Sequence, residues 1–105
     1  MPTATFGNHQ VEVNDEGFLT DPTQWNKEIA DAIAKEVNIP ELTPKHWELI
    51  DYLRKYYTEK NDMPSIRFLK KNGIIPIKDL YSLFPDGPLK KASKIAGLPK
   101  PYSCV

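Results

Sequence analysis

Cysteine is nearly absent from this chain: of 105 residues, only Cys104 carries a thiol. A single cysteine closes no internal disulfide, and no cluster of cysteines and histidines offers the ligand set of a structural zinc. Long apolar runs are missing too. No stretch approaches the roughly 20 residues that span a bilayer. The N-terminus lacks the basic start and apolar core of a secretory signal. A cytoplasmic location without membrane insertion is therefore expected. No glycine-rich phosphate loop, nucleophile elbow or metalloprotease helix occurs, so no cofactor and no metal are expected. Net charge is also absent, with 14 basic and 14 acidic residues.

That neutrality hides a division. Residues 1–62 carry twelve acids and six bases, whereas residues 63–105 carry two acids and eight bases. A dipolar chain of this kind orients on an anionic partner without being globally basic, or its two faces attract each other within the fold. The length is that of one small domain, and 40% apolar with 27% charged residues is an ordinary soluble composition.

The pattern predicts a mainly α fold with a small N-terminal β-hairpin. Residues 3–13 alternate apolar and polar on either side of Gly7-Asn8, which supplies turn chemistry. Asp21-Pro22 opens a helix expected over about 22–37, with Trp25, Ile29, Ile33 and Val37 along one face. Thr43-Pro44 opens a second over 43–58, where His46 falls on or beside the apolar stripe and reads as a satisfied, partly buried histidine. Glu59 to Asp62 reads as loop. Shorter helices follow over 64–72, 77–83 and 88–96, the last lined by Leu89, Ala92, Ile95 and Ala96. The pair spanning 64–84, joined by a turn at Asn72-Gly73, resembles a helix-turn-helix unit. The globular domain is expected to end at 97, with 98–105 as an arm. Its prolines, Pro99 and Pro101, forbid helix and stiffen the backbone.

Chemistry concentrates in that arm. Cys104 reads either as an accidental terminal thiol or as a carried nucleophile that enters a partner's site. Lys100 favours the thiolate and the C-terminal carboxylate opposes it. His9 beside Asn8 reads as a solvated turn residue. The carboxylates of Asp15 and Glu16 read as turn formers, and the Trp25, Trp47 and Tyr52–Tyr57 aromatics as core.

The run Phe84-Pro85-Asp86-Gly87-Pro88, then Ala92 to Pro101, and the final Cys104-Val105 resemble the signature of the DsrC/TusE family. Asp15 to Leu19, Trp25, Leu42 to Trp47, Tyr56-Tyr57 and Leu80 to Pro85 extend the resemblance over nearly the whole chain. It implies an orthogonal helical bundle bearing the hairpin, a mobile C-terminal arm, and Cys104 as the sulfur-bearing residue. Members relay a persulfide toward tRNA thiolation or serve dissimilatory sulfite reductase. The chain departs from DsrC proper at Ser93, where that subgroup has a second cysteine, and so resembles TusE and single-cysteine relatives. The compact stretch 70–79 resembles DsrC instead, and Tyr102-Ser103 replaces its usual threonine-glycine.

The leading expectation is a sulfur-relay carrier with no turnover chemistry of its own. It would take sulfur from a donor protein and pass it to a tRNA-thiolation component or to sulfite reductase. Lys90, Lys91, Lys94 and Lys100, with Pro99 and Pro101, form the expected docking collar. The alternatives are a reductase partner, a regulatory single-cysteine relative, and, from another class, nucleic-acid binding through Arg67, Lys70, Lys71 and Lys78.

Overall fold

Strand alternation puts Ala4 and Phe6 on one face of the first strand, and His9, Val11 and Val13 on the matching face of the second. In the computed structural model, which describes residues 3–85 and 87–99, β1 (Thr3–Phe6) and β2 (His9–Glu12) pair antiparallel in the register Ala4↔Val11 and Phe6↔His9. Gly7, at φ 63°, takes the first loop position, where a two-residue hairpin turn needs positive φ. Phe6, Val11 and Val13 are buried beneath the hairpin. Asn14 closes the next turn: its side-chain oxygen accepts from the backbone N–H of Glu16 (2.9 Å) and of Phe18 (3.0 Å). A single bridge, Val13↔Leu19, then returns the chain to β2.

Five helices follow: α1 (Lys27–Glu36), α2 (Pro44–Lys60), α3 (Ile66–Lys71), α4 (Ile77–Leu83) and α5 (Pro88–Ile95). Helix α5 is the centre, packed against α1, α2 and α4, while α1 also covers β1. Leu89, Ala92, Ile95 and Ala96 are fully buried and meet the core residues Ile29, Ile33, Ile50 and Leu53.

The structure differs from the expected elements in places that have physical causes. The helix expected over 22–37 is two pieces. Asp21 caps only a 3-10 turn, Pro22–Gln24, after which Trp25 is extended (φ −74°, ψ 145°). Asn26 then starts α1 afresh, its side chain accepting from Ile29 N–H at 2.9 Å. A second cap residue inside an apolar repeat overrode the repeat. Helix α2 runs through Glu59 and Lys60, stopping only where Asn61 turns left-handed at φ 52°. Helix α3 starts at Ile66 because Ser65, not Pro64, is its cap. Leu98, assigned to the arm from sequence, is 1% exposed and belongs to the core.

Candidate functional site

The end of α5 is the last described point before the expected arm, and it is held from several sides. Locally it is a Schellman turn: Gly97 N–H donates to Lys94 O (3.2 Å) and Leu98 N–H to Ser93 O (3.0 Å), with Gly97 at φ 71°. Two distant side chains take the carbonyls the helix leaves over. Trp25 Nε1–H donates to Ile95 O at 2.7 Å, and Arg54 Nη1–H donates to Ala96 O at 2.7 Å. The second Arg54 nitrogen reaches Pro22 O at 3.1 Å, and the guanidinium lies 4.1 Å from the Trp25 ring centroid. A cation at a helix C-terminus also meets the negative end of the helix dipole. Burial pushes the Arg54 pKa down while Asp51 opposes it, and a guanidinium so placed stays charged.

Trp25 closes over Gly97. A Cβ there would sit 2.4 Å from the indole Cδ1, so only glycine fits. The sequence reading missed this pair. It placed Trp25 on a helix face, and Arg54 stood unmarked among the polar residues of α2. The glycine after α5 was the one available signal that something approaches closely.

The sequence-identified site residues do not all converge. Lys90 is exposed and Lys91 half-buried on α5. Lys94 is less free than the collar requires: it is half-buried, with Nζ 5.6 Å from the Phe18 ring centroid and packed on Gly17. Pro99 is half-buried at the root. Lys100, Pro101 and Cys104 lie outside the described residues. Ser93 is wholly buried, and its Oγ has no hydrogen-bond partner among the described residues. A helical serine ordinarily bonds back to the preceding turn or faces water. This one does neither among the described residues.

His9 is not a solvated turn residue. Its place opposite Phe6 points it at α1, where Nε2 lies 3.0 Å from Glu28 Oε2. His46 is buried, as read: Nδ1 accepts from Thr43 N–H (3.0 Å), so the proton sits on Nε2, which donates to Leu83 O at 2.9 Å. That bond ties the start of α2 to the end of α4. Arg67, Lys70, Lys71 and Lys78 are exposed on α3 and α4. Among the described residues, no group of three or more His, Cys, Asp or Glu could hold a metal, and no helix is long and apolar enough to cross a membrane. A groove between α2 and the α3–α4 turn is lined by Lys45, Glu48, Ile74 and Leu83 among others, and by none of the expected site residues.

Against known proteins, the model of the DsrC-like protein family matches residues 5–105. The chain belongs to the DsrC-like family. It is 41% identical to the sulfurtransferase TusE of Salmonella typhimurium, over 95% of this chain and 97% of that one. It is 38% identical to the gamma subunit of dissimilatory-type sulfite reductase of Nitratidesulfovibrio vulgaris, over the full length of both. The solution structure of Allochromatium vinosum DsrC superposes with a TM-score of 0.83 at 42% identity, covering 98% of this chain and 97% of that one. The DsrC-like fold is thus mainly helical with one two-stranded hairpin, as the sequence pattern indicated. The buried position of Ser93, whose Oγ has no hydrogen-bond partner among the described residues, would suit a thiol, a weaker hydrogen-bond donor than a hydroxyl, with less left unsatisfied.

Proposed function

We propose that this DsrC-like chain is a sulfur-relay carrier that accepts and delivers sulfur as a persulfide on Cys104. The carrying observation is the end-to-end similarity to both a sulfurtransferase and a sulfite reductase subunit, in a chain with one thiol. In the transfer step, the Cys104 thiolate attacks the outer sulfur of a donor persulfide. The donor's S–S bond breaks, its electron pair leaves with the donor thiolate, and a new S–S bond forms on Cys104, with no net oxidation. Delivery is the same exchange with Cys104 as the leaving thiolate. Intact-protein mass spectrometry after incubation with a persulfide donor tests this. Native protein gains one sulfur atom and Cys104→Ala gains none. No gain in native protein, under conditions that load another carrier, refutes the reading.

The same similarity supports an upstream sulfur donor as partner, with either a tRNA-thiolation component or dissimilatory sulfite reductase read as the downstream one. The full-length match to the reductase gamma subunit favours docking on a reductase as the second reading. With serine at position 93, only one thiol would take part. Co-purification with reductase subunits on the native chain tests it, and elution apart from them at micromolar concentrations refutes it. On either reading, Lys90 and Lys91 steer the approach to an acidic partner surface. Charge reversal at both slows transfer from a protein donor most at low ionic strength. Rates independent of salt would remove the steering role.

A further inference from the structure

We propose that the exposed faces of α3 and α4 form a docking surface for an acidic protein segment that carries apolar side chains. For its purpose this rests on the carrier reading, since a relay holds a donor and an acceptor in turn; its geometry does not involve Cys104. The two short helices are built alike. On α3, Arg67, Lys70 and Lys71 are exposed at i, i+3 and i+4, and Leu69 is fully buried. On α4, Lys78, Tyr81 and Ser82 are exposed at the same spacing, and Leu80 is fully buried. Each trio spans about 100° of its helix, with the leucine on the opposite side. Leu69 and Leu80 belong to one core, so both helices turn these faces away from it. The turn that joins them is exposed from Asn72 to Ile74, and a Cβ on Gly73 would meet nothing within 4 Å.

Two features of that surface find no use within the fold. Ile74, 37% exposed, and Tyr81, 46% exposed, are the exposed large hydrophobic residues of the described chain, and both lie here. Among the described residues, Arg67, Lys70, Lys71 and Lys78 make no ion pair; the one that forms is His9–Glu28. Residues 63–85 hold these four bases and one acid, Asp79, which is half-buried against the groove that Glu48 also lines. The uncompensated charge is positive and selects an anionic partner. Tyrosine and arginine are enriched at the anchoring centres of protein interfaces, within a polar rim. A nucleic acid is the other polyanion that four cations attract, and it fits less well. In a helix-turn-helix reader the first turn of the second helix meets the nucleic acid. The first turn of α4 carries the acid Asp79. An aliphatic side chain such as Ile74 also gains nothing against phosphate.

The test is a nuclear magnetic resonance titration of the isotope-labelled full chain with three probes. They are a synthetic peptide of glutamates interspersed with leucines, an all-glutamate peptide of equal charge, and a random-sequence DNA duplex. The leucine-bearing peptide is expected to shift the amides of Arg67, Lys71, Ile74, Lys78 and Tyr81. It should bind about tenfold more tightly than the all-glutamate peptide, the effect of burying one apolar side chain. Ile74→Ser with Tyr81→Ser, both at exposed positions, should bring the two peptides to equal affinity. Arg67→Glu with Lys71→Glu should abolish binding of both. Lys35→Glu with Lys55→Glu, an equal change of net charge on exposed residues of α1 and α2, should weaken it far less. Shifts centred on Lys90 and Lys91, equal affinity of the two peptides for the native chain, or tighter binding of the duplex would each overturn the proposal; the last would give the face to nucleic acid. Failure of the native chain to load sulfur on Cys104 would overturn the carrier reading alone and leave the binding result standing.

Discussion

Helices α3 and α5 end in the same turn. At α3, Gly73 N–H donates to Lys70 O (3.2 Å) and Ile74 N–H to Leu69 O (3.1 Å); at α5 the same two bonds run from Gly97 to Lys94 and from Leu98 to Ser93. Both glycines have positive φ, 64° and 71°. Everything around those turns differs. A Cβ on Gly73 would meet nothing within 4 Å, whereas one on Gly97 would strike Trp25. Ile74 is 37% exposed and Leu98 1%. Local hydrogen bonding therefore specifies where a helix stops, and long-range packing decides whether that stop is a surface turn or an anchor. The two alanine variants separate these contributions. Gly73→Ala carries only the left-handed penalty, about 1–2 kcal/mol. Gly97→Ala adds overpacking against the indole, for a total of about 2–5 kcal/mol. Urea unfolding midpoints compare them, and equal losses would show that Trp25 yields freely.

The same contrast explains how much was legible beforehand. Caps, prolines and glycines are local, and they located four of the five helices to within about two residues at either end. The exception, the break at Trp25, came where Asn26 offered a second cap within an apolar repeat whose spacing gave no sign of it. His46 was legible because its partner Thr43 lies three residues away on the same helix start. His9 was not, since Glu28 is 19 residues distant. The clamp was the least accessible of all: Trp25 and Arg54 meet carbonyls 70 and 42 residues away. Side chains that close over such separations follow from tertiary packing, which one-dimensional periodicity does not encode. Cys104 was marked by its rarity, by its place beyond Pro99 and Pro101, and by the resemblance of the C-terminal signature.

A second difference between the two turns lies at the residue that accepts the longer bond. In α3 it is Leu69, buried and apolar; in α5 it is Ser93, equally buried, with an Oγ that has no hydrogen-bond partner among the described residues. An unsatisfied buried hydroxyl costs roughly 1–3 kcal/mol, and deleting it leaves only a small void. Ser93→Ala is therefore expected to raise stability by about 1 kcal/mol, net of that void. Calorimetry on the variant reads it directly. A loss of stability would mean that the hydroxyl is bonded in solution, and the two turns would then be more alike than their packing indicates.

The smallest expected effect comes from acid, and it distinguishes the turns without changing either. The Asp21 carboxylate accepts from Thr23 Oγ1 (2.6 Å) and Thr23 N–H (3.0 Å), the side-chain bond being the larger influence, and together they hold its pKa below the ordinary 3.8. A carboxyl whose folded pKa is depressed contributes fully above its unfolded value and loses that contribution as pH falls through the folded one. Protonation weakens the cap on the 3-10 turn whose Pro22 carbonyl holds Arg54, and through Arg54 reaches Ala96. No such link runs to Gly73, where the one side-chain bond at the turn among the described residues is local, from Asn72 Nδ2–H to Phe68 O at 2.9 Å. Nuclear magnetic resonance titration downward from pH 3.8 should move the Trp25 indole N–H and the Gly97 amide while the Gly73 amide stays in place. Asp21→Asn, which cannot titrate, should abolish that movement. If Gly97 stays still in native protein, the anchor holds without its cap. If it moves equally in Asp21→Asn, another acid group controls it.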